Sequence, residues 1–162
     1  MKSTIALLIA VAVLTGCAGQ APDKAVKTPA RGADPAAPAR AATPASSAST
    51  LAAYKRDAAL HISSANPAKV YPGRPQALLR SVIVMKYAVD ARGRLVRSEI
   101  LRSNRDGETE SAALHSLRSA APLPRPSSHL LRNGQLELIE TWLFNDDGRF
   151  QLRTIAQPQL DS

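Results

Sequence analysis

The period of the apolar positions changes several times along the chain, and each change marks an element. Residues 5–14, "IALLIAVAVL", are apolar without a break. Residues 18–50 show no apolar period: the tract holds one Val, no aromatic residue, and Pro at positions 22, 29, 35, 38 and 44. From Leu51 the spacing turns helical, with Leu51, Tyr54, Ala58, Leu60 and Ile62 recurring through "STLAAYKRDAALHISS" and Ser49 or Thr50 placed as the N-cap. The helix ends before "ANPAKVYPGRPQ", a loop fixed by Pro67, Pro72 and Pro75.

The period then drops to two. In "RSVIVMKYAVD" the residues Ile83, Met85, Tyr87 and Val89 fall on one face, Asp90-Ala91-Arg92-Gly93 supplies a turn, and "RLVRSEILRS" returns with Val96, Ser98 and Ile100. This is an antiparallel hairpin. Asp106-Gly107 breaks the strand, and helical spacing resumes with Ala113, Leu114, Leu117, Ala120 and Ala121. Glu108 and Glu110 precede Arg118 in that segment, the charge order a helix dipole prefers, and "PLPRP" ends it. The last segment, "QLELIETWLF", turns at Asn145-Asp146-Asp147-Gly148 into "RFQLRTIA". One register buries Trp142 with Phe144 and the other Ile139 with Leu143, and the pattern leaves that choice open. The predicted fold class is α+β: a small domain of order α-β-β-α-β(β) over residues 51–162, an antiparallel sheet with helices on one face, preceded by a disordered linker.

The one cysteine of the chain, Cys17, changes the reading of the first third. Lys2 and the apolar run after it form a secretory signal, far short of the ~20 apolar residues that span a bilayer. The run ends in Leu14-Thr15-Gly16-Cys17, which resembles the bacterial lipobox, with cleavage at Ala18 or Gly19 as the alternative. The resemblance implies that residues 1–16 are removed and that Cys17 becomes a lipid-bearing N-terminus. A lone thiol in an oxidising compartment has no disulfide to make, whereas a thioether to a diacylglycerol uses it. Two or three acyl chains, at about 0.8 kcal/mol per buried CH₂, anchor a small protein to a membrane. By resemblance to Gram-negative sorting rules, Ala18 rather than Asp after the Cys places the protein in the inner leaflet of the outer membrane, facing the periplasm. Residues 17–50 then form an Ala/Pro-rich disordered tether, since they cannot bury enough apolar surface to offset ordering. Its reach is roughly 30 Å as a coil and about 100 Å as polyproline II.

Within the folded part, Tyr71-Pro72 before the first strand, the Val89-Asp90-x-x-Gly93 hairpin, Ala112-Ala113-Leu114 on the helix and Ala121-Pro122-Leu123-Pro124 after it resemble the TonB C-terminal domain family. The related TolA C-terminal domain has a similar architecture. The resemblance covers about residues 51–156. It implies a binding module whose sheet edge takes an extended partner peptide as another strand. The candidate docking edge is then Arg149, Phe150, Gln151, Leu152, Arg153, Thr154 and Ile155, with capping by the chain itself or by a second copy as the alternatives. Energy transducers of that family begin with a transmembrane helix, where this chain carries a lipobox.

Chemistry adds little. His61, His115 and His129 stand apart, with no H-x-x-x-H, C-x-x-C or paired acidic motif, so neither a metal nor another cofactor is expected. Ser63, Ser64, Ser127 and Ser128 read as helix-end and loop residues, Glu99 as a strand-surface charge and Asp146-Asp147 as a turn. No catalytic residue is expected. Charge says more: the chain has 21 Lys and Arg against 13 Asp and Glu, and losing Lys2 with the signal leaves a net charge of about +7. Arg92, Arg94, Arg97, Arg102 and Arg105 cluster on and beside the hairpin. They read either as a solvated strand face that deters edge aggregation or as a basic patch for acidic envelope components, while export argues against nucleic acid. The sequence thus points to a non-enzymatic envelope lipoprotein that binds another envelope protein, an adaptor in transport or envelope maintenance. A TonB-type energy transducer and a self-associating structural lipoprotein, in its simplest form a homodimer, are the alternatives.

Overall fold

A computed structural model describes residues 43–159 of the chain. Thr50 caps the first helix, its hydroxyl accepting from the Ala53 N–H at 3.2 Å, and α1 runs over Leu51–Ala65. Tyr54, Ala58, Ala59 and Ile62 form its buried stripe. Leu51 and Leu60, expected on that stripe, are exposed: at 100° per residue Leu60 stands about 200° round the helix from Ala58. Asn66 stops the helix before Pro67 and ties it to its neighbour, its amide donating to the carbonyls of Ile62 (2.8 Å) and Ser116 (3.0 Å).

The second helix, α2 (Gly107–Ser119), starts at Asp106, whose carboxylate accepts from the N–H groups of Glu108 and Thr109. Arg80 reaches the same carboxylate at 2.8 Å and Glu108 at 2.6 Å, so the entry of the helix is pinned to the residue before the first strand. Thr109, Ala113, Ser116 and Leu117 face inward.

Strands β1 (Ser81–Asp90), β2 (Leu95–Arg102), β3 (Gln135–Phe144) and β4 (Phe150–Leu152) form one antiparallel sheet of order β2-β1-β3-β4. β1 and β3 pair over their whole ten-residue lengths, Ser81 opposite Phe144 and Asp90 opposite Gln135. Ile83, Met85, Tyr87 and Val89 meet Trp142, Glu140, Leu138 and Leu136 on the side covered by the helices. The register left open by the sequence is thereby decided: Trp142 and Phe144 are buried, and Ile139 is about half exposed. The Trp142 indole donates to the Ser116 hydroxyl at 2.9 Å, so the largest core side chain keeps its polar atom paired beneath α2. Among the described residues, the fold is the predicted α+β domain with both helices on one face of the sheet.

Three expectations need correction. Val96 points outward rather than in with Ser98 and Ile100, because a bulge between Ala88 and Val89 aligns Val89 with Leu95 and Ala88 with Arg97; the extra residue shifts the alternation by one. β4 is three residues long, not eight, since residues 153–155 turn away and the N–H groups of Ile155 and Ala156 close on the Leu152 carbonyl. The domain also begins earlier than Leu51. Ala45 bridges Arg125, with Ser46 and Arg125 N–H groups donating to the Arg125 and Pro44 carbonyls, and Ala48 is buried in the core. The expected disordered tether, apart from its last eight residues, lies outside the described residues.

The β1–β2 turn is locked by a contact the sequence does not announce. Gly93 has φ +77°, its carbonyl accepts from the Leu123 N–H at 2.8 Å, and a Cβ there would stand 2.0 Å from the Leu123 oxygen. Gly93→Ala therefore combines left-handed strain with a backbone clash, and urea unfolding is expected to show a loss of about 3 kcal/mol or more. Gly107→Ala, where a Cβ meets nothing within 4 Å, should instead be neutral or gain up to about 1 kcal/mol; equal effects at both sites would refute the clamp.

Candidate functional site

A sheet that recruits an extended partner needs a strand with unpaired N–H and C=O groups on one side. The strand order leaves two edges, β4 and β2.

The β4 edge is occupied by the chain itself. Val70 bridges Phe150 in parallel, and the Tyr71 N–H donates to the Phe150 carbonyl at 2.8 Å. The Leu152 carbonyl takes the N–H groups of Ile155 (3.0 Å) and Ala156 (2.9 Å). The Gln151 amide donates to the carbonyls of Tyr71 (3.1 Å) and Gly73, and its Oε1 is buried without a partner. Arg149 lies with its guanidinium 5.0 Å from the centre of the Tyr71 ring and 2.7 Å from Asp147. The Arg153 N–H continues the ladder to the Thr141 carbonyl (2.9 Å), and the Thr154 N–H donates to Glu140 at 3.3 Å. Of the seven residues expected as a docking edge, Phe150, Gln151 and Leu152 are buried. The edge expected to be free is capped, and the physical reason is the proline-fixed loop before β1, which lays Val70 and Tyr71 along it.

The β2 edge differs. Among the described residues, no backbone hydrogen bond outside the β1–β2 ladder involves Leu95–Arg102. Bulges at both ends leave residues 97–100 as its regular stretch. Val96 and Leu101, at the two bulges, are 50% and 46% exposed. Such bulges limit how far a neighbouring sheet can extend along an edge, so the accessible stretch suits a short segment.

The five arginines of the expected basic patch do not act as one cluster. Arg92 and Arg94 stand at the hairpin turn, Arg97 in mid-strand, and Arg102 and Arg105 at the opposite end. Asp90 accepts from the Arg94 side chain at 2.6 Å and from the N–H groups of Arg92 and Arg94. Arg97 pairs with Glu137 and Lys86 with Glu99, on the face away from the helices. Arg92, Arg102 and Arg105 have no carboxylate within 4 Å among the described residues. The strand thus carries a neutralised middle between cationic ends.

Several of the other polar residues singled out in the sequence are engaged structurally. The His61 ring lies 2.9 Å from the Ala120 carbonyl and that of His129 2.8 Å from the Ser49 carbonyl. Ser64 bonds back to the His61 carbonyl and Ser127 to that of Ala48. Glu140 is buried on the helix side, where its Oε1 accepts from the Thr141 and Thr154 N–H groups and anchors the turn after β4. Burial pushes the nearby Tyr87 hydroxyl well above its usual range, and the Glu140 carboxylate adds to that. Among the described residues no group of three His, Cys, Asp or Glu could hold a metal ion, and no helix is long and apolar enough to cross a membrane. Cys17 lies outside the described residues. Comparison with protein-family models, curated proteins and solved structures yields no match.

What sequence reasoning missed is the inequality of the two edges. The signal was the loop "ANPAKVYPGRPQ": after a 3₁₀ turn at Pro67–Lys69, the residues before Pro72 are biased to extended backbone, and Val70 and Tyr71 run beside β4.

Burial raises the Asp90 carboxyl, but the Arg94 side chain and the backbone N–H groups of Arg94 and Arg92 outweigh it and hold the group below its ordinary value of 3.8. The unfolded chain therefore takes up this proton first on acidification. The contribution to stability is complete above about pH 5 and is lost as pH falls through the folded value. Asp90→Ala should cost about 1–2 kcal/mol near neutral pH and give a shallower loss of stability below about pH 4 than the wild type. Parallel curves for the two proteins in acid would show that Asp90 does not carry this dependence.

Proposed function

We propose that the chain is a lipid-anchored, non-catalytic adaptor whose α+β domain binds another protein of the cell envelope, and that the partner adds a short extended segment to the β2 edge. The observation that carries this reading is the free run at residues 97–100, the counterpart of a β4 edge capped by Val70 and Tyr71. The resemblance to TonB C-terminal domains supplies strand addition as the mode of binding. The capped β4 edge and the unpaired β2 run support β2 as the place for it.

Strand addition suits this surface for three reasons. Main-chain hydrogen bonds give affinity with little demand on partner sequence, while alternate side chains give selectivity. The half-exposed Val96 and Leu101 offer apolar contacts at either end of the run. Beyond them Arg92, Arg102 and Arg105 favour acidic residues flanking the partner's segment, a rim effect that raises association rate and falls with salt. The lipid on Cys17 restricts the domain to one membrane surface, so a modest affinity per contact suffices.

Two measurements test the proposal. Photocrosslinkers placed in living cells at Glu99 and at Arg149, both with exposed side chains, should give a defined protein adduct from Glu99 and none from Arg149; adducts from Arg149, or from neither position, would sink the β2 assignment. Cys17→Ser should move the protein from the membrane fraction to the soluble or unprocessed pool and abolish labelling by a fatty-acid analogue. Persistent labelling of that variant would disprove lipidation at Cys17.

A further inference from the structure

The face of the sheet turned away from the helices is not uniform. At one end it carries the Arg97–Glu137 and Lys86–Glu99 pairs. At the other, Val82 lies directly opposite Leu143, and Leu79 joins them from the preceding loop along two adjoining surface grooves. Leu78, beside Leu79, is 80% exposed. Arg153 lines the groove on one side of Val82 and Arg102 the groove on the other. Neither has a carboxylate within 4 Å among the described residues.

We infer that this end of the sheet rests on an anionic bilayer, with Leu78 inserted among the acyl chains and Arg102 and Arg153 on the phosphates. The feature that selects a lipid surface over a protein is shape. Leu78, almost fully exposed, stands on the loop and lines neither groove, while Leu79, Val82 and Leu143 supply an apolar strip among the polar residues of the grooves. A projecting apolar side chain flanked by arginines suits the bilayer interface, where the leucine leaves water and the guanidinium groups stay at the headgroups. Charge complementarity points the same way, because the two unpaired arginines flank the apolar ground on both sides, and each basic residue near an anionic surface contributes to binding. This contact goes beyond the adaptor reading and does not need it: residues 97–100 of β2 are not part of it, and of the residues named here only Arg102 also borders the β2 edge, so Leu78 and Arg153 carry the distinction.

The test is co-sedimentation of residues 39–162, the compact unit that contains every element of the fold, with vesicles of pure phosphatidylcholine or of equimolar phosphatidylcholine and phosphatidylglycerol at low salt. This fragment lacks Cys17, so an acyl anchor cannot produce the result. The wild-type fragment should pellet with the anionic vesicles and much less with the neutral ones. Leu78→Asp should weaken that binding by about tenfold or more. Arg102→Gln and Arg153→Gln should each weaken it by about fivefold, with unchanged circular dichroism, since all three side chains are exposed. A fragment that stays in the supernatant with both vesicles, as a surface built for a protein partner would, overturns the inference. So does equal binding to the two compositions, or binding that none of the three substitutions reduces. Crosslinking at Glu99 reads the adaptor proposal separately, so one reading can fail while the other stands.

Discussion

The pairing of Ser81–Asp90 with Gln135–Phe144 along their full lengths sets the terms for everything else in the domain. Side chains alternate in a strand, so this ladder commits one set of residues in each strand to the helices and the other set to the opposite face. Ile83, Met85, Tyr87 and Val89 with Leu136, Leu138 and Trp142 make a continuous floor, and the stripes of α1 and α2 close over it. Among the described residues both α-helices lie on that side. The other face carries no helix there, with Val82 and Leu143 apolar at one end and ion pairs at the other.

The same ladder makes β1 and β3 interior and leaves β2 and β4 to meet solvent. Unpaired main-chain groups invite association, and the domain treats its two edges differently. β4 is cut to three residues and covered by Val70, Tyr71 and its own following turn. β2 keeps eight residues but is bulged near each end. A sheet capped at its β4 edge and reduced to a regular run of four residues at its β2 edge has little scope for indefinite stacking, yet room for one short guest.

Much of this architecture was legible. Period-two spacing in "RSVIVMKYAVD", the Asp90–Gly93 turn and the acidic start of α2 located three elements, because each depends on contacts a few residues apart. Val96 was misplaced because a bulge adds one residue without leaving a mark in the alternation. Leu60 sits at only an approximate helical interval, so the spacing suggests the stripe while 100° per residue turns the side chain to solvent. Residues 43–50 read as the end of a tether for their Pro, Ser and Ala content, yet Ala45 and Arg125 form a bridge 80 positions apart in sequence, a pairing that local composition does not encode.

By itself the sequence determined the α+β class, the order of elements, the main hairpin and the place of the single cysteine, all of which follow from short-range periodicity, turn chemistry or composition. Tertiary structure alone decided that Trp142 rather than Ile139 faces inward, that Gly93 is clamped against Leu123, and which sheet edge is free. Those outcomes depend on groups far apart in the chain competing for the same space and the same hydrogen bonds. Tyr71 meets the Phe150 carbonyl only where β4 is held beside β3 in the folded sheet, and among the described residues that leaves the open edge to β2.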